Sequence, residues 1–568
     1  MPGWTRIVAT ILAVLVFAIG CAPAAPGSSG VAVGNPIPSS PPRVKRITLG
    51  MGNEQVLHPN AGAPRRAAVP LVHSGLTVLG DQGVRHPQLV EAVPRLENGL
   101  WKILPDGRME TTWKIRDGAR WHDGVALTAE DLLFTLQVGR DREMSAFNTL
   151  AFGSIEDARA PDPRTLTITW KEPFVDAPAV LDGRPVGPLP KHLLEDAYRG
   201  GKASFLDLPY WTSEFVGAGP YRLREWAPGV SMLLEANGEY VLGRPRIDQI
   251  EVKFIPDANT LTANLLAGTV DVTNYLGSID LGIQLRDQWR GGTVAFNFGS
   301  EAWVALYPQF VDPRPEIVTD LEVRRALAYA IDRQEIVDTL VAGLSPVPHS
   351  LLSPNQAAYR NIEAAVPRYD YDPRRAAQML EARGYRKGQD GIYYDEANRR
   401  LELEVRSGAA EAGAKPASAV ADYWRRLGVD ATAVRPSPQQ TTDVEYVATF
   451  PAFLVISGSN DLSALRLLHS SATPLPSNNF RVTSSGNRSR YMNPEFDSLI
   501  EAYFKTLPVP ERIRVVGQII RHIADQVTVL GMYYNPTPGA ISDRVLNVTR
   551  EWPLSYITWN AHEWDVTS

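Results

Sequence analysis

The stretch "RDGARWHDGVALTAEDLLFTL" (116–136) contains a strand end, a tight turn and a capped helix in direct succession. Asp123-Gly124 is typical of a turn, because glycine adopts the positive φ that many turns require. Thr128 and Asp131 have the spacing of a capping box, which predicts that a helix begins after Thr128. His122-Asp123 has an alternative interpretation as a catalytic dyad, but we favour turn residues with local hydrogen bonds. The stretch therefore predicts a strand–turn–helix unit.

Further strands and helices lie on both sides of this unit. Alternating apolar residues predict strands, since successive side chains of a strand point to opposite faces. These strands are predicted in "RVKRITLGMG" (43–52), "METTWKIRDG" (109–118), "TLTITWKEPF" (165–174) and "RIDQIEVKFIPD" (246–257). Helical periodicity predominates after residue 320, in "TDLEVRRALAYAIDRQEIVDTLVAGL" (319–344), "YDPRRAAQMLEARGY" (371–385), "MNPEFDSLIEAYF" (492–504) and "PERIRVVGQIIRHIADQV" (510–527).

These helices carry their own start signals. Thr319 and Glu322 predict one capped helix over 319–344, and Asp372 and Asn493 are predicted N-caps that precede a proline. Mixed strands and helices in a chain of 568 residues predict an α/β architecture with more than one lobe, because a single core seldom grows to this size.

The N-terminus has the pattern of an export signal. Arg6 is the only charged residue before an apolar run that ends at Cys21, the single cysteine of the chain. The run ends like the lipobox of bacterial lipoproteins, although Ala18 stands where leucine is preferred. We interpret residues 1–20 as a lipoprotein signal peptide, Cys21 as the lipid attachment site and residues 21–42 as a flexible Pro/Gly/Ser tether. The alternative is a plain export signal with an incidental cysteine.

Composition and motifs argue against several function classes. The net charge of −6 is well mixed, so no basic surface for nucleic acid is predicted. The sequence has no H-E-x-x-H, G-x-S-x-G or G-x-x-x-x-G-K motif, and no two histidines have i, i+4 spacing. "FVGAGPYRLREWAPG" (215–229) is interpreted as a turn and strand rather than a phosphate loop. We predict no catalytic residue, no metal and no cofactor, although a glycosidase pair among 63 carboxylates stays open.

Several long blocks in fixed order carry a family resemblance. They are "RDGARWHDGVALTAEDLLFTL", "VGAGPYRLREWAPGVSMLLEAN", "YVLGRPRIDQIEVKFIPDANTLTANLLAGTVDV", "LEVRRALAYAIDRQEIVDTLVAG", "YDPRRAAQMLEARGY" and "YMNPEFDSLIEAYF". From about residue 43 to the C-terminus the chain resembles the family 5 extracellular solute-binding proteins, the oligopeptide-, dipeptide- and nickel-binding components of ABC transporters.

The resemblance implies a two-lobed periplasmic-binding-protein fold of type II, in its large subtype with an extra subdomain in lobe one. Lobe one is expected at 43–290 with a return at 531–568, and lobe two at 291–530. The implied partners are a small polar solute or peptide-like ligand, an ABC permease and its ATPase subunits, and the membrane through the lipid anchor. The implied protein is a monomer in the periplasm or on the outer face of the cell membrane.

Two other functions remain open from the sequence. One is a non-transporting lipoprotein scaffold or sensor in cell-envelope assembly on the same fold. The other is an exported hydrolase, which would need a titratable pair in the cleft between the lobes.

The segment "FPAFLVISGSNDLSALRLLHSS" (450–471) departs from the family pattern. Peptide-binding members have Gly-Trp-x-x-Asp-Tyr here, and its aspartate pairs with the α-amine of the peptide. This segment has no tryptophan and no Asp-Tyr, and Asp461 aligns late. Since an uncompensated ammonium is costly to bury, we expect a neutral or blocked peptide, a saccharide or another polar solute.

Candidate ligand contacts follow from position in the family pattern and from residue chemistry. Aromatic faces and amides suit a neutral polar ligand. The alternative for each residue is a core aromatic or a loop amide. The candidates are Trp303, Tyr307, Ser407, Phe453, Ser457, Asn460, Asn478 and Asn479.

Overall fold

The computed structural model describes residues 44–59, 65–183, 186–298, 303–356, 358–408, 411–480, 486–550 and 556–567. Cys21, the predicted signal peptide 1–20 and the tether 21–42 lie outside the described residues. The chain from Val44 to Ser568 forms one compact unit. Among the described residues, no helix combines the length and the apolar character that crossing a membrane requires.

A seven-stranded sheet forms the base of the first lobe. Its strands in spatial order are Gly292–Asn297, Thr537–Ser542, Val272–Thr273, Arg46–Met51, Gln249–Phe254, Ser231–Ala236 and Tyr221–Ala227. Arg46–Met51 is parallel to Gln249–Phe254 and to Val272–Thr273, whereas the other neighbours are antiparallel. The first predicted strand and the strand in 246–257 are confirmed, and alternate residues of both are buried in one core.

A separate four-stranded antiparallel sheet lies within the same lobe. Its order is Trp101–Ile103, Met109–Lys114, Thr165–Trp170 and Ile155–Asp162. Leu166, Ile168 and Trp170 are all buried, as the alternation predicts, in a core that also holds Trp113. The sheet with its own core corresponds to the extra subdomain that the resemblance implies, and we call it the subdomain.

A five-stranded sheet forms the second lobe, in the order Asp430–Val434, Glu402–Ser407, Phe453–Gly458, Trp303–Pro308 and Leu530–Tyr534. The first three strands are mutually parallel, and Trp303–Pro308 is antiparallel to both of its neighbours. Separate cores cover the two faces of this sheet. The molecule is therefore a two-lobed α/β protein.

Helices pack around these sheets, and short two-stranded ladders join Thr77–Leu79 to Arg85–Pro87, Arg386–Lys387 to Tyr393–Tyr394, and Val545–Leu546 to Asp565–Val566. The α-helices are Val69–Val72, Ala129–Arg140, Leu150–Ser154, Lys191–Gly200, Lys202–Phe205, Ala258–Leu266, Ile279–Gln288, Leu321–Tyr329, Arg333–Leu340, Pro373–Ala382, Glu411–Leu427, Pro438–Thr442, Val444–Ala448, Pro494–Lys505 and Val509–Gln526. Asp372 and Asn493 are confirmed as N-caps.

The prediction of one helix over 319–344 is wrong. Asp320, not Thr319, caps a helix that ends at Tyr329. The Asp332 side chain then accepts a hydrogen bond from the Glu335 amide and begins a second helix, Arg333–Leu340. An aspartate in extended conformation satisfies the free amides of a new first turn, so it separates two helices that share one apolar period.

The chain passes between the two large sheets twice, at neighbouring positions. Asn297 pairs with Thr537 at the edge of the seven-stranded sheet, and Trp303 pairs with Tyr534 at the edge of the five-stranded sheet. The lobe boundaries at 290/291 and 530/531 stay a prediction. The strand pairing assigns Gly292–Asn297 to the first sheet and Leu530–Tyr534 to the second. Below, lobe one denotes the seven-stranded sheet with the subdomain, and lobe two the part built on the five-stranded sheet.

Candidate functional site

The candidate site lies at the edge of the lobe-two sheet where both connections to lobe one leave. The parallel strands Glu402–Ser407 and Phe453–Gly458 end at this edge, and Trp303 pairs there with Gly458. Ligands of open α/β sheets bind outside the carboxyl ends of parallel strands, where the connections change direction. The sheet geometry therefore brings Trp303, Ser407 and Ser457 to one edge.

Trp303 and Tyr307 share one face of their strand and line a pocket of about 400 Å³, open solvent included. Gly458 and Ser459 line it from the opposing strand end. A Cβ atom on Gly458 would lie 2.7 Å from the Tyr307 hydroxyl and 3.5 Å from the Trp303 Nε1. Because residue 458 is a glycine, the space beside the Tyr307 hydroxyl and the Trp303 Nε1 stays open.

The rest of the lining is apolar, and no described lining residue is ionised at neutral pH. The lining is completed by Leu351, Ala464, Leu467, Leu468, Ile523 and Val529. Burial raises the pKa of Tyr307, while the nearby Arg488 guanidinium opposes that rise. The hydroxyl therefore stays protonated at neutral pH and can donate or accept one hydrogen bond. The pocket suits an uncharged group.

Trp303 also lines a second pocket of about 390 Å³, open solvent included, next to Arg333. The buried Arg333 guanidinium donates to the carbonyl oxygens of Pro348 at 2.7 Å and Tyr369 at 3.1 Å. Burial lowers the pKa of Arg333 to about 10, so the side chain remains a cation. These bonds to carbonyls hold the surrounding loops, and we assign Arg333 a structural role.

The predicted serines occupy the opposite face of the sheet. Ser457 pairs with Val304 and Ser407 with Val455, and side chains of directly paired residues share a face. Because Val304 and Val455 belong to the core on the face away from Trp303, the two serines lie at the edge but not in the pocket. The Ser407 hydroxyl is buried without a hydrogen-bond partner among the described residues.

Phe453 is the candidate that the structure places farthest from this edge along the strand. It is the first residue of its strand, pairs with Pro308, and its ring centroid lies 4.7 Å from that of Trp424. Phe453 is thus a core aromatic. Its position in the altered segment did not reveal which end of the strand it occupies.

The three candidate asparagines lie outside the pocket lining. Asn460 is fully buried, and its backbone oxygen accepts a hydrogen bond of 2.8 Å from Gln356 Nε2. Asn478 closes a turn, in which its side chain accepts from the Leu475 amide at 2.9 Å and donates to the Thr473 oxygen at 2.8 Å. Asn479 is exposed with φ +53°. The last two are therefore loop amides.

The carboxylate of Asp461 is engaged in helix capping. Its Oδ1 accepts a hydrogen bond of 2.9 Å from the Ala464 amide at the start of the 3₁₀ helix Leu462–Leu468, and also contacts Ser463 Oγ. A carboxylate oxygen used in this way is less available to pair with a ligand amine. Gly458 and the 3₁₀ helix are site features that the sequence reasoning missed, and the glycine at a strand end was their only visible signal.

The structure does not form the alternative dyad of His122 and Asp123. His122 Nδ1 accepts from the Gly217 amide at 3.2 Å, and His122 Nε2 lies 3.1 Å from the Gly219 oxygen. Asp123 instead contacts His192 at 2.7 Å. The turn interpretation is confirmed by the Asp123 bond to the Val125 amide, and the Thr128–Asp131 capping box begins the helix Ala129–Arg140. No metal-binding cluster of His, Cys, Asp or Glu occurs in the described part of the chain.

Comparison with known proteins identifies relatives that are similar in sequence over part of the chain. The oligopeptide-binding protein AppA of Bacillus subtilis is 29% identical over 301 residues, which cover 50% of this chain and 51% of AppA. A protein of Brucella ovis, provisionally named an ABC transporter peptide-binding protein, is 29% identical over 289 residues, with 50% and 51% covered. The chain thus spans about half the length of these curated relatives.

The fold is shared with a solved substrate-binding protein. The ABC transporter substrate-binding protein CtaP of Listeria monocytogenes superposes with a TM-score of 0.72 at 19% identity, over 92% of this chain and 100% of CtaP. The sequence profile of the bacterial extracellular solute-binding proteins, family 5, matches residues 91–479, which is more than half of the chain. The chain therefore belongs to the family 5 bacterial extracellular solute-binding proteins.

Proposed function

We propose that this protein is the lipid-anchored, extracytoplasmic substrate-binding component of an ABC importer. It captures a peptide-like or other polar solute between its lobes and delivers it to a membrane permease with its ATPase subunits, without catalysing a reaction. The observation that carries the proposal is the pocket of Trp303, Tyr307 and Gly458 at the sheet edge beside both connections. Family membership supports the same function.

The mechanism we propose is hinge closure of a monomer. Two connections join the large sheets. They leave the first sheet at Asn297 and Thr537 and enter the second at Trp303 and Tyr534, and hinges of two-lobed proteins lie at such element ends. A solute that contacts both lobes binds the closed arrangement better than the open one. It therefore shifts the population toward the closed arrangement that a permease would recognise.

We propose an uncharged ligand group in the lobe-two pocket. An ammonium placed there would meet no carboxylate among the described lining residues, and the Asp461 Oδ1 is engaged at the helix cap. Leaving such a charge unpaired costs several kcal/mol. A blocked or neutral peptide, a saccharide or a similar polar solute avoids that cost.

Membrane attachment is proposed to occur through Cys21 and the tether 21–42. Acylation of the single cysteine would place a lipid at one end of a Pro/Gly/Ser segment that leads into the compact unit at Val44. Stable anchoring takes more than one acyl chain, as in processed lipoproteins. Intact-mass analysis of the protein from its host would show the added acyl mass on Cys21.

Native mass spectrometry of the full chain, purified gently in detergent from its host, tests the proposed function. We expect a co-purifying solute that lacks a free α-amine. A solute with a free α-amine would contradict the proposed ligand class. A protein that stays empty and shows no thermal shift with peptides, sugars or metal chelates would favour the envelope scaffold instead.

A further inference from the structure

A second set of contacts joins the lobes in addition to the two connections. The chain that leaves the subdomain strand Thr165–Trp170 runs along lobe two, where the Val175 amide donates a hydrogen bond of 3.1 Å to the Phe504 oxygen. Beside it, Lys505 Nζ lies 3.3 Å from Glu172 Oε2. Leu507 of lobe two is buried in the subdomain core. Backbone, ionic and apolar contacts therefore coincide at this point.

Arg466 is at the centre of these contacts. Its guanidinium carbon lies 3.5 Å from the ring centroid of Phe504 in its own lobe and 5.3 Å from that of Phe174 in the subdomain. One guanidinium nitrogen is 3.7 Å from Asp176 Oδ2, and the two side chains are 31% and 38% exposed. A partly desolvated guanidinium between aromatic rings gains more from cation–π attraction than an exposed one.

The same short helix also forms part of the pocket wall. Ala464, Leu467 and Leu468 of the 3₁₀ helix Leu462–Leu468 line the pocket, whereas Arg466 contacts lobe one. Residues 464 and 467 are one 3₁₀ turn apart and share a side of the helix, which directs residue 466 elsewhere. A displacement of this helix would therefore move the pocket wall and the interlobe contact together.

We propose that Phe174, Asp176, Arg466 and Phe504 form an interlobe clasp that stabilises the closed arrangement. Arg466 is its positioning residue, and the Leu462–Leu468 helix couples filling of the pocket to closure. The clasp deepens the proposed function, since closure on a solute is the event that it regulates. It links the subdomain, of which no described residue lines the pocket, to solute capture.

An exposed ion pair alone contributes little, so a single pair would not carry the proposal. The clasp differs from a single ion pair because it combines several contacts at one place. These are the Arg466 cation with the two rings, the Val175–Phe504 hydrogen bond and the buried Leu507. Loss of the guanidinium removes both the ion pair and both cation–π contacts, while the Val175 amide remains as a reporter of separation.

The test measures the free protein without any solute, so its result does not depend on the proposed ligand. Hydrogen exchange at the Val175 amide and the radius of gyration from small-angle scattering are compared in the full chain, with Cys21→Ser in every sample to prevent acylation. The variants are Arg466→Gln in lobe two and Asp176→Asn in lobe one. Arg368→Gln is the matched control, because Arg368 forms a 3.7 Å ion pair with Glu363 inside lobe two.

We expect Val175 exchange about fivefold to tenfold faster, and a larger radius of gyration, in Arg466→Gln, with a smaller change of the same kind in Asp176→Asn. The exchanged pair Arg466→Asp with Asp176→Arg should recover part of the slow exchange, which a merely structural arginine would not allow. Arg368→Gln should match the wild type. If both single variants kept the wild-type exchange rate at Val175 and the wild-type radius of gyration, the clasp would be overturned. If Arg466→Gln does not fold, the result for Asp176→Asn decides alone.

Discussion

The Tyr307 hydroxyl and the Gly458 backbone approach each other so closely that a Cβ atom at position 458 would lie 2.7 Å from the hydroxyl oxygen. Tyr307 is buried, and its strand pairs with the strand of Gly458, so neither backbone can move away easily. Both residues line the pocket. The absence of a side chain at position 458 therefore keeps space open beside the Tyr307 hydroxyl.

Gly458→Ala should reduce solute retention. The added methyl group must displace the Tyr307 ring into the pocket, and such overpacking typically costs about 1–3 kcal/mol of stability. Native mass spectrometry should show loss of the co-purifying solute, and urea unfolding should give the stability change.

Gly517→Ala is the control for Gly458→Ala. Gly517 lies within the helix Val509–Gln526, and a Cβ there would meet Ile362 at an ordinary 3.5 Å. This variant should keep the solute and gain roughly 0.5–1 kcal/mol, since alanine favours the helix. Equal solute retention in the two alanine variants would contradict the role assigned to Gly458.

Asp461 should be dispensable for solute binding but not for the helix that it caps. Asp461→Asn retains a good N-cap, so stability should change by no more than about 0.5 kcal/mol and the solute should be retained. Asp461→Ala should cost about 1 kcal/mol, measured by urea unfolding. If Asp461→Asn alone abolished retention of the solute, the carboxylate would be a ligand contact and an amine-bearing ligand would be indicated.

The C-terminal return to lobe one should depend strongly on Arg544. Its guanidinium donates to Asp271 Oδ2 at 2.6 Å, and the Asp271 side chain is buried. Arg544→Ala would leave that carboxylate without its cation, which typically costs about 3 kcal/mol or more. Arg46→Ala removes the Arg46–Glu251 pair of 2.9 Å at the surface and should cost less than about 1 kcal/mol. Similar midpoints of urea unfolding for the two variants would contradict this ranking.

Much of the fold could be predicted because its signals are local. The placement of Leu166, Ile168 and Trp170 on one buried face and the caps at Asp372 and Asn493 depend on a few neighbouring residues, and the structure confirms them. The cap at Asp332 that begins a second helix is also a local signal, but the apolar residues keep one helical period across it, so the sequence predicted a single helix. The arrangement of strands that are distant in sequence could be recognised only through the family resemblance, since periodicity does not show which strands pair.

The candidate site could be predicted less well, for a physical reason. Trp303 and Phe453 are both buried aromatic residues on paired strands, yet Trp303 lies at the pocket end of its strand and Phe453 at the opposite end of the sheet. The sequence shows neither which residues of neighbouring strands pair nor which end of each strand lies at the pocket. Arg466 and Asp176 are distant in sequence, so their contact exists only in the folded molecule.

Stability should fall on acidification because of the buried His122. Burial lowers the pKa of His122 to about 4, below the value of about 6.5 in an unfolded chain. The folded state therefore binds fewer protons than the unfolded state between these values. The stabilising contribution is complete above about pH 6.5 and is lost as the pH falls toward 4, by roughly 3 kcal/mol in total. His73, with its pKa lowered to about 3, acts in the same direction.

His122→Asn separates this contribution from the other titrations. The asparagine oxygen can still accept the Gly217 amide bond that His122 Nδ1 accepts, and asparagine does not titrate in this range. Urea unfolding at pH 7.5 and pH 4.5 should show a smaller acid-induced loss in the variant than in the wild type. An equal loss in both proteins would mean that His122 is already protonated, or not buried, in the native state.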